Sequence, residues 1–253
     1  MCLILFAYKQ HPKYKLILAA NRDEFRARPT AKAAYWSDSP LVLAGRDLER
    51  GGTWLGISNT GQLSAITNFR EAHANLLDDA PSRGDLTADF IKGKEHPASY
   101  LEALHADERV FNGYNLLLGN PDELYHYSNK EGKINRLEAG IYGLSNHLLD
   151  TPWPKVTLGK QLLKQHIEQP ELQVDDLLAV LENIVQPRDE DLPKTGIGTN
   201  WERMLGPMFI DTEAYGTYCS TIILWDNNNQ VDFYEKIHRD QLTQHFRLQV
   251  GAD

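Results

Sequence analysis

Cysteine is scarce in this chain of 253 residues, which contains only Cys2 and Cys219. Two cysteines cannot build the disulfide framework of a small secreted domain, and they cannot supply a four-cysteine zinc site. Such low cysteine usage is typical of proteins from a reducing compartment. We therefore expect a cytoplasmic protein.

Long apolar runs are also missing. Residues 1–8 form an apolar segment, but no basic flank precedes it and Lys9 ends it. A signal peptide needs that basic flank, and a transmembrane helix needs about 20 apolar residues. The sequence therefore predicts neither a signal peptide nor a membrane span.

Positive charge is in deficit, because 26 Lys and Arg residues are set against 35 Asp and Glu residues, for a formal net charge of −9. This charge repels phosphate backbones, so nucleic acid is not an expected partner. The metal-binding and phosphate-binding patterns His-x-x-x-His, Cys-x-x-Cys and Gly-x-x-x-x-Gly-Lys do not occur. We therefore expect no metal and no other cofactor.

The sequence does contain material for a full core, since 42% of its residues are apolar. No fixed repeat divides the chain, so we expect one domain over residues 1–253. Short apolar runs predict strands, and apolar residues at 3.6-residue spacing predict helices. The predicted strands are 3–8, 15–20, 53–58, 62–68, 114–118, 124–128, 133–137, 140–145, 217–225 and 231–237, and the predicted helices begin near residue 82 and cover 97–105, 153–167 and 174–184.

Strands cluster with strands and helices with helices along this order. The pattern predicts an α+β fold, drawn as a four-layer αββα sandwich in which helices cover two antiparallel sheets. Residues 186–200 match no periodic template and contain several Pro, Gly and acidic residues. They are predicted to form a loop, either a plain surface loop or a mobile lid.

Cys2 is the first candidate for chemistry. Methionine before a small residue is the usual setting for removal of the initiator, and removal of Met1 would give Cys2 a free α-amine. Such an amine has a pKa of about 7.7–8.0 and can accept the thiol proton near neutrality. The alternative is that Cys2 is a small buried residue at the start of an apolar strand.

Polar residues follow the second predicted strand as the run Asn21-Arg22-Asp23-Glu24. If strands 3–8 and 15–20 pair as a hairpin, Arg22 and Asp23 approach Cys2. Arg22 would then lower the thiol pKa, and Asp23 would hold the ammonium form of the α-amine. The alternative is a solvated turn with internal salt bridges.

Two asparagines end predicted strands just before polar loops, namely Asn68 and Asn146. Their side-chain amides are suitable donors for an oxyanion, although each residue can equally be a turn residue. The aromatic residues Trp54, Phe69 and Tyr215 lie in or beside the polar segments. They suit the wall of a pocket for an acyl-type or planar apolar ligand, with core packing as the alternative.

Six segments of this sequence together resemble the NRDE family, which also contains the animal transport and Golgi organisation 2 proteins. The match extends over nearly the whole chain in the same order and spacing. The segments are Met1-Cys2, Ala20-Asn21-Arg22-Asp23-Glu24-Phe25, Gly51-Gly52-Thr53-Trp54-Leu55-Gly56, Thr67-Asn68-Phe69, Tyr142-Gly143-Leu144-Ser145-Asn146 with Thr151-Pro152-Trp153, and Tyr215-Gly216-Thr217.

The resemblance implies the αββα fold of the N-terminal nucleophile hydrolases and a likeness to the cholylglycine hydrolase and penicillin acylase group. It implies hydrolysis or transfer at an amide or thioester acyl group. In this sequence the implied catalytic roles fall on Cys2, Arg22, Asp23, Asn68 and Asn146. Substrate binding is assigned to Asn21, Glu24, Trp54, Phe69 and Tyr215.

Two departures qualify the resemblance. Arg22 and Asp23 are adjacent, whereas the hydrolases separate the arginine from the acid, so Glu24 can serve in place of Asp23. Tyr218 stands where relatives often have arginine, and the loss of that charge weakens the case for a full hydrolytic site while still permitting a less anionic ligand to bind. The resemblance also implies two alternatives to an enzyme. One is a non-catalytic carrier for heme or acyl-coenzyme A and other lipid-type ligands, and the other is an inactive relative with a vestigial pocket.

Overall fold

A computed structural model describes residues 2–72 and 76–251 of the chain. These residues form two antiparallel sheets. In spatial order, the first sheet consists of β10 (Gly140–Leu144), β1 (Cys2–Tyr8), β2 (Tyr14–Phe25), β11 (Tyr215–Asp226), β12 (Gln230–Ile237) and β13 (Leu242–Gln249). The second consists of β3 (Thr30–Trp36), β4 (Ser39–Asp47), β5 (Leu55–Ser58), β6 (Leu63–Asn68), β7 (Tyr114–Gly119), β8 (Leu124–Ser128) and β9 (Lys133–Arg136).

Helices cover the outer face of each sheet. Helices α1 (Arg83–Lys92) and α2 (Pro97–His105) pack on the second sheet, and α3 (Pro154–Ile167) and α4 (Val174–Leu181) pack on the first. A short helix α5 (Thr199–Met204) precedes β11. The predicted four-layer αββα sandwich is therefore confirmed. Within the described residues, every helix is too short or too polar to cross a membrane.

Alternation along β1 and β2 gives the sandwich its two principal cores. Side chains of successive strand residues point to opposite faces. Ile4, Phe6 and Leu18 therefore lie between the two sheets, whereas Leu5 and Ile17 lie against α3 and α4. Both faces of the first sheet are buried, which explains why these strands are almost continuously apolar.

The tight connections were predicted well. The β1–β2 hairpin, the β5–β6 hairpin through Asn59-Thr60-Gly61 and the β11–β12 hairpin before Gln230 all form. Strand β2 continues to Phe25, beyond its predicted end at residue 20. The extension carries the Asn21-Arg22-Asp23-Glu24 run inside the sheet, where β11 pairs with it.

Three strands were not predicted, namely β3, β4 and β13. Strands β3 and β13 are edge strands with many exposed residues, so their apolar alternation is weak. Helix α4 ends at Leu181 rather than at residue 184, and the predicted loop 186–200 contains a 3₁₀ turn at Asp189–Asp191 and the start of α5.

Candidate functional site

A cavity of about 380 Å³ lies between the two sheets where β1 begins and β2 ends. Its lining is dominated by charged residues. Those with charged side chains are Arg22, Arg28, Arg50 and Arg83, together with Asp23, Glu24, Asp47, Glu49 and Asp78. Cys2, Trp54 and Asn68 also line it. Three of the sequence-predicted catalytic residues, Cys2, Arg22 and Asn68, therefore meet in one cavity, and Asp23 borders it from β2 with its carboxylate hydrogen-bonded to Thr217.

Hairpin register brings Cys2 and Arg22 together. The two residues are directly opposite each other in the β1–β2 pairing. Opposed residues of an antiparallel pair project to the same face, so both side chains belong to the inter-sheet side. Ser145, which follows β10 on the other side of β1, donates its hydroxyl to the Cys2 carbonyl oxygen at 3.3 Å. Met1, whose removal is predicted, lies outside the described residues.

The Arg22 side chain is held between aromatic rings. Its guanidinium carbon lies 4.4 Å from the centre of the Trp54 ring and 5.5 Å from that of Tyr218. Its Nη2 lies 3.6 Å from Oε2 of Glu24. Arg22 is only 5% exposed, and its Nη1 has no hydrogen-bond partner within residues 2–72 and 76–251.

A β-bulge next to the site accounts for the contact with Tyr218. In the β2–β11 pairing, Asp23 is opposite Thr217 and Arg22 is opposite Cys219, so Tyr218 is an extra residue in β11. Bulges bend a strand and redirect its side chains. Tyr218 thus packs against Arg22, and its hydroxyl donates to the carbonyl oxygen of Thr30 at 3.2 Å.

Burial dominates the electrostatics of the thiol. It raises the pKa of Cys2, and the Asp23 carboxylate raises it further, whereas the Arg22 cation lowers it. Arg22 therefore acts in the expected direction, but the expected net depression of the thiol pKa is not found. The reason is that removing a thiolate from water costs more here than one nearby cation returns.

Asp23 projects to the opposite face of β2 from its neighbour Arg22. Its Oδ1 accepts a hydrogen bond from the Thr217 hydroxyl at 2.7 Å, and its carbonyl oxygen accepts one from the Tyr215 hydroxyl at 2.9 Å. Burial raises the pKa of Asp23, and the charge of Lys155 opposes that rise. Adjacent strand residues point to opposite sides, so Arg22 and Asp23 approach Cys2 from different sides of the sheet.

Asn21 connects the first sheet to its helical layer. Its Nδ2 donates to the carbonyl oxygens of Leu181 and Met208 at 2.8 and 2.9 Å, and its Oδ1 accepts from the Ser220 hydroxyl at 2.6 Å. All three partners lie on the side of α3 and α4. Asn21 thus faces away from the cavity, although it had been expected to bind the substrate.

The two asparagines are brought together at the end of β6. Asn68 lines the cavity, and its carbonyl oxygen accepts a hydrogen bond from Nδ2 of Asn146 at 2.8 Å. Asn146 is fully buried, and its Oδ1 accepts from the Ser145 hydroxyl at 3.3 Å. The carbonyl oxygen of Asn146 in turn accepts from the backbone N–H of Arg70 at 2.7 Å.

The remaining predicted aromatic residues lie around the cavity rather than across it. The Phe69 ring packs on the His147 ring with a centre-to-centre distance of 4.8 Å. Tyr215 is buried and contacts Phe25 edge to face at 5.1 Å. Of the three aromatic residues expected to form the wall, Trp54 is the one that lines the cavity.

Several residues near the site were missed by sequence reasoning. Lys155 is buried, donates from Nζ to the Leu205 carbonyl oxygen at 3.0 Å, and has its pKa lowered by burial to about 8. Arg70 and Glu202 form a buried ion pair at 2.5 Å. A basic residue at the start of a helix and an acid in a short helix give no signal of such burial.

Arg83 was also missed as a site residue. The sequence predicted only that a helix begins near residue 82, yet Ser82, Arg83 and Gly84 line the cavity. The Gly51-Gly52 pair explains how α1 reaches this position. A Cβ on Gly52 would lie 2.5 Å from the carbonyl carbon of Gly84, so only glycine permits this approach.

Side chains that could bind a metal ion do not cluster in the described part of the chain. Within the described ranges, no three His, Cys, Asp or Glu side chains converge as ligands of one ion.

Comparison with known proteins places the sequence in a family. The family model for Transport and Golgi organisation 2 matches residues 1–240. The Transport and Golgi organization protein 2 homolog of Bos taurus is 37% identical over 277 residues, covering 98% of this chain and all of its own length.

Solved structures resemble the chain in fold at low identity. A mutant conjugated bile acid hydrolase from Clostridium perfringens superposes with a TM-score of 0.57 at 9% identity, covering 97% of this chain and 92% of its own. The Caenorhabditis elegans ortholog of N-acylethanolamine-hydrolyzing acid amidase superposes with a TM-score of 0.52 at 9% identity, covering 88% and 92%. The chain therefore belongs to the Transport and Golgi organisation 2 family, with an N-terminal nucleophile hydrolase-like fold.

Proposed function

We propose that Cys2 is the nucleophile of an acyl hydrolase or acyl transferase that acts on an amide or a thioester. One observation carries this proposal. Cys2 and Arg22 face each other on paired strands, at the edge of a charged cavity large enough for a small ligand. The shared fold with a bile acid hydrolase and an acid amidase supports the same reaction class.

The first step pairs the thiol with its own α-amine. Removal of Met1 frees that amine, which takes the thiol proton as the sulfur attacks the acyl carbonyl carbon. The carbonyl π electrons move to the oxygen, giving a tetrahedral oxyanion. The thiol need not be ionised beforehand on this route, because the amine takes its proton during the attack.

Collapse of the tetrahedral oxyanion completes the transfer. The carbonyl re-forms, the bond to the leaving amine or thiol breaks, and the leaving group takes the proton from the α-ammonium. Water then attacks the acyl-cysteine thioester, with the α-amine as base, and releases a carboxylic acid and the thiol. In a transferase, an amine or a thiol replaces the water.

The surrounding residues receive roles from their positions. Arg22 stabilises the developing thiolate, and Asp23 balances the ammonium form of the α-amine from the opposite face of β2. The Asn68 amide stabilises the oxyanion, and Asn146 supports it by its hydrogen bond to the Asn68 carbonyl oxygen. Glu24 and Trp54 bind the substrate, because both line the cavity and contact Arg22.

Binding without turnover is the second candidate. The raised pKa of Cys2 favours it, since a protonated thiol is a weak nucleophile. The charged lining favours an acyl ligand over a planar apolar ligand such as heme, whose faces would bury charged groups. We also propose a cytoplasmic location, because both cysteines are free thiols, and a single domain, because the two sheets share one core.

Mass spectrometry of the intact protein, followed by thiol labelling across pH, tests the enzyme proposal. We expect loss of one methionine and rapid labelling of Cys2, located by peptide mapping. A panel of acyl amides and thioesters is then assayed with the native protein and the Cys2→Ala variant. Turnover should disappear in Cys2→Ala.

The matched control is Cys219→Ala, which removes the other, fully buried cysteine and should retain turnover. Turnover that persists in Cys2→Ala would refute the role of Cys2. Retained Met1, slow labelling and no turnover, with ligand affinity equal in both proteins, would support binding instead.

A further inference from the structure

One wall of the cavity is not used by the proposed acyl transfer. It consists of the first turn of α1, where Ser82, Arg83 and Gly84 line the cavity. Ser82 is the N-cap residue of this helix, and its side chain makes no capping hydrogen bond. The first backbone N–H groups of a helix and the positive end of its dipole attract anions. The wall therefore has the character of an anion site.

Arg22 gives an independent indication of a ligand. It lines the same cavity, is 5% exposed, and has a buried Nη1 without a hydrogen-bond partner in the described part of the chain. A buried charged donor left without an acceptor costs free energy. An acceptor oxygen on a bound ligand would remove that cost.

Three acids of the cavity share one cation, Arg28. Its guanidinium lies 2.7 Å from Asp47, 3.5 Å from Glu49 and 3.8 Å from Glu24. All three carboxylates line the cavity together with this cation.

Arg83, in the first turn of α1, is another cation of the cavity. Its Nη1 donates to the Gly113 carbonyl oxygen at 3.0 Å, which holds the side chain without neutralising it. Across residues 2–72 and 76–251, no carboxylate lies within 4.0 Å of its guanidinium nitrogens. Arg83 and Cys2 line the same cavity, so one substrate can contact both.

We infer that Arg83, Arg22 and the N-terminal end of α1 form an anion subsite, and that the substrate is an acyl compound bearing a carboxylate or phosphate group. That the substrate is an acyl compound rests on the proposed function. The inference adds that the part of the substrate outside the acyl group is negatively charged. Tyr218, in place of an arginine, had still permitted a less anionic ligand to bind. Arg83 provides the positive charge from a different element of the fold.

Two alkylating reagents that differ in charge test the subsite. Iodoacetate and iodoacetamide both transfer a carbon to the cysteine sulfur with loss of iodide, but only iodoacetate is an anion. The preference is the ratio of the alkylation rate of Cys2 with iodoacetate to its rate with iodoacetamide. We expect this ratio to be about tenfold higher in the folded protein than in the urea-unfolded protein. The preference should fall towards the unfolded value in Arg83→Gln and be retained in Arg83→Lys, which keeps the charge.

The matched control is Arg188→Gln, because Arg188 is an exposed arginine of the 3₁₀ turn and lies outside the cavity. The control should keep the full preference. A preference equal to that of the unfolded protein, or one unchanged by Arg83→Gln, overturns the subsite.

A second measurement separates this inference from the proposed function. The melting temperature of the Cys2→Ala protein is measured in inorganic phosphate, acetate and chloride at equal ionic strength. Stabilisation by phosphate or by acetate that is lost on adding Arg83→Gln supports the subsite and identifies the anionic group. Equal melting temperatures in all three salts overturn it, even if Cys2 proves to be the nucleophile. Conversely, an unreactive Cys2 refutes the proposed function while these salts still decide the subsite.

Discussion

The guanidinium carbon of Arg22 lies 4.4 Å from the centre of the Trp54 ring. This stacking connects two of the sequence segments that resemble the NRDE family. Arg22 belongs to the segment 20–25, and Trp54 belongs to the segment 51–56. A desolvated cation–π contact is worth about 2 kcal/mol. The contact therefore helps to hold the cation opposite Cys2.

Replacing Arg22 should raise the pKa at which Cys2 becomes reactive. In Arg22→Gln we expect the midpoint of the alkylation–pH profile to move up, because the thiolate loses the cation that stands opposite it in the β1–β2 pairing. Arg26→Gln is the control, since Arg26 pairs with Asp211 outside the cavity. An unchanged profile in Arg22→Gln would contradict the assignment of Arg22.

Adding one methyl group at Gly45 should disturb the same stacking. A Cβ at this position would lie 2.1 Å from Cη2 of Trp54, so the ring must move. We expect Gly45→Ala to cost about 1–3 kcal/mol of stability and to move the Cys2 alkylation midpoint upwards. In the double variant with Trp54→Phe, the smaller ring makes room, and part of the stability should return.

A double-mutant cycle from urea unfolding measures that coupling between positions 45 and 54. Simple addition of the two losses would show that Gly45 does not act through Trp54.

Breaking the buried pair of Arg70 and Glu202 should strongly destabilise the protein. Removal of one partner leaves an uncompensated buried charge, so Arg70→Met should lower the free energy of unfolding by about 3–5 kcal/mol. Adding Glu202→Met should restore much of this loss. Glu202 also accepts hydrogen bonds from the hydroxyl and backbone N–H of Thr195 at 2.6 and 3.0 Å. When Glu202 is replaced, residues 186–200 should therefore become more sensitive to proteolysis.

Urea unfolding and limited proteolysis of the single and double variants provide the measurement. A stability loss in Arg70→Met that stays unchanged in the double variant would argue against the charge explanation.

Acid should destabilise the protein through His126. This histidine is buried, neither ring nitrogen has a hydrogen-bond partner among the described residues, and burial lowers its pKa to about 4. Its stability contribution is complete above pH 6.5 and is lost as pH falls towards 4, because only the unfolded chain takes up the proton. The loss should be about 3 kcal/mol, because the pKa is about 6.5 in the unfolded chain and about 4 in the folded protein.

Urea unfolding at pH 7 and pH 4.5 tests this expectation by comparing the native protein with His126→Phe. The variant should lose less stability on acidification. His105→Phe, which replaces an exposed histidine, should behave like the native protein. An equal acid loss in all three proteins would refute the role of His126.

The sequence by itself determined the local part of the site. Short hairpins have their register set by apolar alternation and turn residues, so Cys2 and Arg22 were predicted to meet and are paired in β1 and β2. The order of strands and helices likewise predicted the four layers, because each apolar face must be covered.

Tertiary structure alone decided the remainder. Strand alternation turns Asp23 and Asn21 away from the inter-sheet face once β11 extends the pairing beyond residue 20, and no local pattern showed that extension. Packing of Gly52 against Gly84 brings Arg83 to the cavity from a distant part of the chain. The thiol pKa also depends on burial, which only the assembled layers produce. These features depend on contacts between residues far apart in sequence, whose pairing is set by the packing of whole layers rather than by local spacing.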